Sequence, residues 1–169
     1  MVRINGFPPI ASSKARVLIL GSMPSEVSLR QAQYYAHTRN QFWKIMGELF
    51  GAGAELPYST RVKKLTAQSV AIWDVLRSCE RRGSLDASIR SETEVANDFT
   101  EFFHRHPRIR AVFFNGTKAQ QTFARHVRPK LGAQVDGICF ERLPSTSPAH
   151  AGRSFSHKLR EWGRVKDFL

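Results

Sequence analysis

Fifteen residues, QYYAHTRNQFWKIMG from Gln33 to Gly47, combine groups that seldom share one stretch. Tyr34, Tyr35, Phe42 and Trp43 offer flat apolar faces, and His37 and Asn40 stand between them. A ring face can stack on a planar base, and an amide can orient a water molecule or read a base edge. Phe42 and Trp43 onward read as helix core, because Phe42, Ile45, Met46 and Leu49 fall on one stripe that ends at Gly51. Asn40, just ahead of that stripe, also fits a helix N-cap. Tyr34 and Tyr35 fit buried, hydrogen-bonded core positions as well as a stacking role. Two other clusters carry related chemistry. GSMPS (21–25) is a Gly/Pro turn, and its backbone amides around Gly21, Ser22 and Met23 can bond the carbonyl edge of a base. PSTSPAHAGRS (144–154) supplies Ser145, Thr146 and Ser147 as phosphate donors and Arg153 as a backbone clamp or wedge. Ser/Thr/Pro clusters are also ordinary turn chemistry. His150 can contact a phosphate or a leaving base, and equally reads as a solvated loop histidine.

Other titratable residues carry less. Asp74, at the end of AIWD, can cap a loop or line a pocket, with the structural role favoured. His104 and His106 point differently on a helix and lack carboxylate or thiolate company, so they read as surface rather than metal ligands. Cys79 and Cys139 are too few and too far apart for a disulfide framework or a four-cysteine cluster. No phosphate-loop, dinucleotide or zinc-protease motif occurs.

These loops need elements to hold them. RVLIL (16–20), SVAIWDVL (69–76), IRAVFFNG (109–116) and GICFERL (137–143) read as four buried strands. Helical patterns lie between and after them, at 40–51, 60–68, 93–106, 117–127 and from Phe155 to Leu169. Residues 1–14 predict an irregular lead-in, 21–40 a loop that leads into the first helix, and 79–89 a charged loop. The alternation predicts an α/β fold, a three-layer α/β/α sandwich with a central, mainly parallel sheet of about four strands. One domain over residues 1–169 is expected, with no repeat or linker. In open α/β sheets ligands sit at the carboxyl ends of the strands, so the loops at 21–40, 115–117 and 144–154 predict one shared site.

Charge indicates the partner. The 169 residues hold 26 Lys and Arg against 14 Asp and Glu, a net charge of +12. From Arg105 onward, 13 basic residues face only Asp136, Glu141, Glu161 and Asp167. A folded domain this basic favours a polyanion, above all nucleic acid, with the phosphate-facing surface in the second half. An enzyme of free nucleosides fits such a pocket but not this charge. No apolar run approaches the ~20 residues of a membrane helix, and the start lacks a secretory apolar region, so a reduced cytoplasmic setting is expected.

With those residues in view, the chain resembles the uracil-DNA glycosylase superfamily, in its mismatch-specific and hypoxanthine-specific branches. LGSMPSEVSLRQAQYYAHTRNQFWKIMG (20–47) is similar to the superfamily's first motif, LPSTSPAHA (143–151) to its second, and VFFNGTKAQQTF (112–123) to the strand and helix between them. The mismatch-specific uracil and thymine enzymes carry a catalytic asparagine in the first turn, where this chain has Met23, and a thioether can neither orient water nor accept a proton. The hypoxanthine-specific branch places its active asparagine in an N-x-F-W segment, matched here by Asn40. The resemblance also implies a base-contacting role for Asn115 and a duplex-pressing role for the second loop. It implies a monomeric DNA repair glycosylase acting on double-stranded DNA with a deaminated or mismatched base, hypoxanthine foremost, without metal or cofactor. The alternatives are a G:U or G:T mismatch-specific uracil/thymine glycosylase and a non-catalytic DNA-binding relative.

Overall fold

In the computed structural model, which describes residues 2–169, the chain opens with strand β1 (Arg3–Asn5) and then enters β2 (Val17–Gly21). A short helix α1 (Glu26–Gln31) and the longer α2 (Phe42–Phe50) and α3 (Tyr58–Ala67) lead to β3 (Val70–Asp74) and β4 (Leu76–Glu80). A two-residue strand β5 (Val95–Ala96), α4 (Phe99–Arg105), β6 (Ala111–Asn115), α5 (Thr117–His126) and α6 (Arg128–Leu131) follow. The chain closes with β7 (Cys139–Leu143), α7 (Phe155–Trp162) and a terminal 3-10 stretch, Gly163–Phe168.

The main sheet has four strands in the order β3-β2-β6-β7, all parallel. Every residue of β2 and β3 is buried, which is why both read as unbroken apolar runs. Helix α2 packs with α3 and α7, while α4 and α5 pack with α6, giving the three-layer α/β/α sandwich. Phe42, Phe113, Phe123 and Trp162 are among the fully buried side chains of its core.

The structure departs from the sequence pattern in four places. SVAIWDVL predicts one strand, but the chain breaks after Asp74, and β4 forms a second, antiparallel sheet in the order β1-β4-β5. Residues 79–89, expected as loop, therefore begin as strand. The lead-in is more ordered than its Pro and Gly content predicts: Ile10 exchanges backbone bonds with Ile72, the Tyr34 hydroxyl donates to the Pro8 carbonyl at 2.8 Å, and Trp73 Nε1 donates to the Phe7 carbonyl at 3.1 Å. The 21–40 segment contains α1, whose N-cap Ser25 accepts a bond from the Ser28 amide. The helix expected over 93–106 starts only at Phe99, because Asp98 caps it and Val95 and Ala96 pair with β4.

Parallel strands end on the same side. The registers Gly21↔Asp74 and Asn115↔Leu143 bring four strand ends to one rim. A smaller apolar cluster of Met23, Leu76, Cys79 and Ile89, with Ile4 against it, fixes the second sheet beside that rim.

Candidate active site

A cavity of about 540 Å³ opens at this rim. Its walls come from the 21–25 turn, the 34–40 segment, the end of β6 and the 145–150 loop, the segments the sequence predicts. A further wall, Ser84 to Ala87, was not expected.

The turn supplies Gly21, Ser22 and Met23. Met23 is buried and its side chain belongs to the smaller apolar cluster, so the thioether anchors the turn as well as lining the cavity. Ser22 donates from Oγ to Asp86 Oδ1 at 2.6 Å. Arg81, buried, donates from Nη2 to the Pro24 carbonyl at 2.5 Å and from Nε to the Gly83 carbonyl at 2.7 Å. These bonds stitch the 81–89 segment onto the turn and make it a wall.

The two tyrosines part company. Tyr34 is core: its hydroxyl is bonded, its amide donates to the Tyr58 hydroxyl at 3.1 Å and its carbonyl accepts from Trp43 Nε1 at 2.8 Å. Tyr35 stacks one ring face on Phe42 at 4.0 Å between centroids, and its ring is half-buried at the cavity. Its φ of 55° is the left-handed region, which costs a bulky residue on the order of 1–3 kcal/mol and persists only where neighbours enforce it. The bond from the following amide, Ala36, to Ser28 Oγ at 3.1 Å is one such constraint.

Asn40 lines the cavity, and its Oδ1 accepts from the Phe42 amide at 2.9 Å. The bond fits the expected capping of α2, with Gln41 at the helix boundary. It leaves the amide group and a second Oδ1 lone pair available. Capping therefore fixes the plane of the side chain without exhausting its bonding capacity.

The second loop is held from below at three points. Trp162 Nε1 donates to the Pro144 carbonyl at 2.9 Å, and Lys158 Nζ, on a buried side chain, donates to the His150 carbonyl at 2.7 Å. Between them Asn115 grips Thr146 twice: Nδ2 donates to Thr146 Oγ1, and the Thr146 amide donates to Asn115 Oδ1, both at 2.9 Å. The Thr146 carbonyl accepts from the Gln41 amide at 3.0 Å, tying this loop to the Asn40 segment. Gly116, at φ 91°, runs so close that a Cβ would lie 3.1 Å from Ser145 Cβ. Ser145 Oγ accepts from the Ser147 amide and Ser147 Oγ from the Ala149 amide, so both hydroxyl protons remain free to donate. His150 is exposed at the cavity edge. Arg153 lies exposed beyond the cavity lining, its guanidinium against the His157 ring.

Asp74 is the residue whose setting the sequence undervalued. It is 3% exposed, lines the cavity, and its Oδ2 has no hydrogen-bond partner among the described residues. Burial first, then the charge of Asp86, pushes its carboxyl up to about 7, with Arg81 opposing the rise. The legible signal was its place: a lone carboxylate at the end of a buried strand, where ligands gather.

The family model described as the uracil DNA glycosylase superfamily matches residues 8–166. The chain belongs to this superfamily. Two relatives, each described as a hypoxanthine DNA glycosylase, support the placement. One, from Methanosarcina acetivorans, is 33% identical over 162 residues, covering 95% of this chain and 96% of that protein. The other, from Methanosarcina barkeri, is 36% identical over 115 residues, 68% and 72% of the two chains. The solution NMR structure of a uracil DNA glycosylase candidate from M. acetivorans superposes with a TM-score of 0.77 at 30% identity, covering 98% of this chain and 99% of that one. Among the described residues no helix is long and apolar enough to cross a membrane.

Proposed function

We propose that this superfamily member flips a deaminated base, hypoxanthine above others, out of duplex DNA and hydrolyses its N-glycosidic bond to leave an abasic site. The observation that carries the reading is the pairing of Met23 in the turn with Asn40 on the cavity wall. The only side-chain amides on that wall are Asn40 and Asn115, and Asn115 is committed to Thr146. The two hypoxanthine DNA glycosylase relatives favour the same base.

The target nucleotide must leave the stack, at a cost of a few kcal/mol that is smallest for a damaged or mispaired base. The exposed part of the Tyr35 ring receives the flipped base. Bond cleavage leaves positive charge on the sugar and negative charge on the departing base. Asn40, a poor base, aligns the attacking water through its free lone pair and amide group. Donors fixed before the reaction stabilise the departing base. No lysine lines the cavity, and Lys158 is engaged beneath the loop, so hydrolysis without strand cleavage is the expected chemistry.

Single-turnover base release from duplexes carrying hypoxanthine, xanthine, uracil or thymine tests the reading. Hypoxanthine should be released fastest. Faster release of uracil or thymine opposite guanine would establish the mismatch-specific alternative, and binding without release of any base would leave a DNA-binding relative.

Binding should weaken with salt, log K falling by about 0.9 per phosphate contacted for each tenfold rise in salt. Arg153→Glu should weaken binding to damaged and intact duplex by the same factor, because phosphate contacts carry no base information. Fluorescence anisotropy at two salt concentrations checks both. Affinity that does not change with salt would remove the electrostatic basis of the reading.

A further inference from the structure

We propose that the Asp74 carboxyl reads the ring edge of the flipped base, pairing with a lactam through two hydrogen bonds. The inference rests on the glycosylase reading above and assigns a residue that the resemblance leaves without a role.

Two unpaired buried polar groups converge at one point of the cavity floor. Asp74 Oδ2 and the Tyr35 hydroxyl are both enclosed without a hydrogen-bond partner among the described residues. They meet over Gly21, where a Cβ would lie 2.4 Å from Asp74 Oδ1 and 3.0 Å from the Tyr35 hydroxyl. The glycine therefore opens the space that both groups face. A carboxyl buried for structural reasons is ordinarily satisfied, since an unpaired buried polar group costs on the order of 1–3 kcal/mol. Here the backbone is satisfied and the side chain is not: the Asp74 carbonyl accepts from Asn97 Nδ2 at 2.8 Å. Arg81 gives no compensation, because its bonds go to the carbonyls of Gly83 and Pro24.

Chemistry narrows the ligand. A neutral carboxylic acid is both donor and acceptor, and a lactam offers a carbonyl oxygen beside an N–H. The acid proton goes to the base carbonyl, and the other acid oxygen accepts the ring N–H. Hypoxanthine presents O6 and N1–H in this arrangement; uracil presents O4 and N3–H. As the glycosidic bond breaks, negative charge spreads towards that carbonyl, so the donated bond strengthens in the transition state. An ionised Asp74 would instead oppose the developing charge.

Proton occupancy follows from the surroundings. Asp86 faces Asp74 from the 86–88 turn, Arg81 from the end of β4, and Tyr34 and Tyr35 from the segment after α1. Burial pushes both tyrosine hydroxyls well above their ordinary range, so they stay neutral throughout. Asp74, held near 7, loses its proton as pH rises through that value.

The test measures single-turnover release between pH 5.5 and 9 for wild type, Asp74→Asn and Asp74→Ala. It uses whichever lactam base, hypoxanthine or uracil, the wild type releases. Asp74→Ala should lose on the order of 100-fold at pH 6, the scale of one preorganised donor. The wild-type rate should fall about tenfold per pH unit above neutrality. Asp74→Asn keeps a donor and an acceptor without the ionisation, so it should retain activity and show no such fall, overtaking wild type at high pH. His37 and His150 line the same cavity, so the flat Asp74→Asn profile is what assigns the alkaline limb. Thermal unfolding should show Asp74→Ala folded. Equal rates for wild type and folded Asp74→Ala would overturn the proposal while leaving the glycosylase reading intact. Release of neither base by wild type would overturn both.

Discussion

Asn40→Ala is expected to lower single-turnover release of hypoxanthine at least about tenfold, equivalent to about 1.4 kcal/mol of transition-state stabilisation. The same substitution removes the bond to the Phe42 amide, and loss of such a cap costs roughly 0.5–2 kcal/mol of stability. The two losses are separable. Asn40→Asp keeps an oxygen for the Phe42 amide, so the helix stays capped, but it replaces the amide group with a second, charged oxygen. A folded Asn40→Asp protein that binds DNA with altered cleavage places Asn40 in the chemistry. If both variants cleave at the wild-type rate per folded molecule, Asn40 is a cap alone, and Asn115 becomes the next candidate.

Asn115→Ala should also depress cleavage at least about tenfold, by a different route. Both ends of the Asn115 amide hold Thr146, which is fully buried. Without them the Thr146 amide and hydroxyl are left unpaired, and the 144–151 loop loses its tie to β6. Thr146→Val removes the hydroxyl while sparing the amide bond, so its effect should be smaller. A double-mutant cycle then reports what Asn115 does. A pure clamp gives strong coupling, in the range of about 0.5–3 kcal/mol for residues sharing a hydrogen bond. An asparagine that contacts the base directly gives effects on cleavage close to additive. Single-turnover rates for the two single variants and the double variant decide between them.

The sheet was legible because burial on both faces leaves a plain trace: VLIL and AVFF carry no polar interruption. Strand β4 was hidden by the same feature, since SVAIWDVL continues apolar through the point where the chain changes sheets. Helix α1 left little periodic signal in six residues and depends on the Ser25 cap. In the site, the Gly21 turn, the Tyr35–Asn40 stretch and the 144–151 loop were visible because their residue types are unusual for packing. The fourth wall was not. CERRGSLDAS is charged and turn-rich, and only tertiary bonds, Arg81 to the Pro24 carbonyl and Ser22 to Asp86, bring it onto the cavity. Asp74 was visible but undervalued, because one carboxylate says nothing of its partners until the space around it is known. The choice between Tyr34 and Tyr35 likewise depended on Pro8 and Tyr58, distant in sequence, which engage the first and leave the second.

The central claim is that this site releases an intact deaminated base and leaves the DNA backbone whole. The direct measurement is mass detection of the free base from a duplex carrying one deoxyinosine, with the strand analysed before and after alkali. Free hypoxanthine should appear in amounts equal to the alkali-labile sites, the strand remaining unbroken until alkali is added. Tight binding of that duplex with no hypoxanthine released would contradict it.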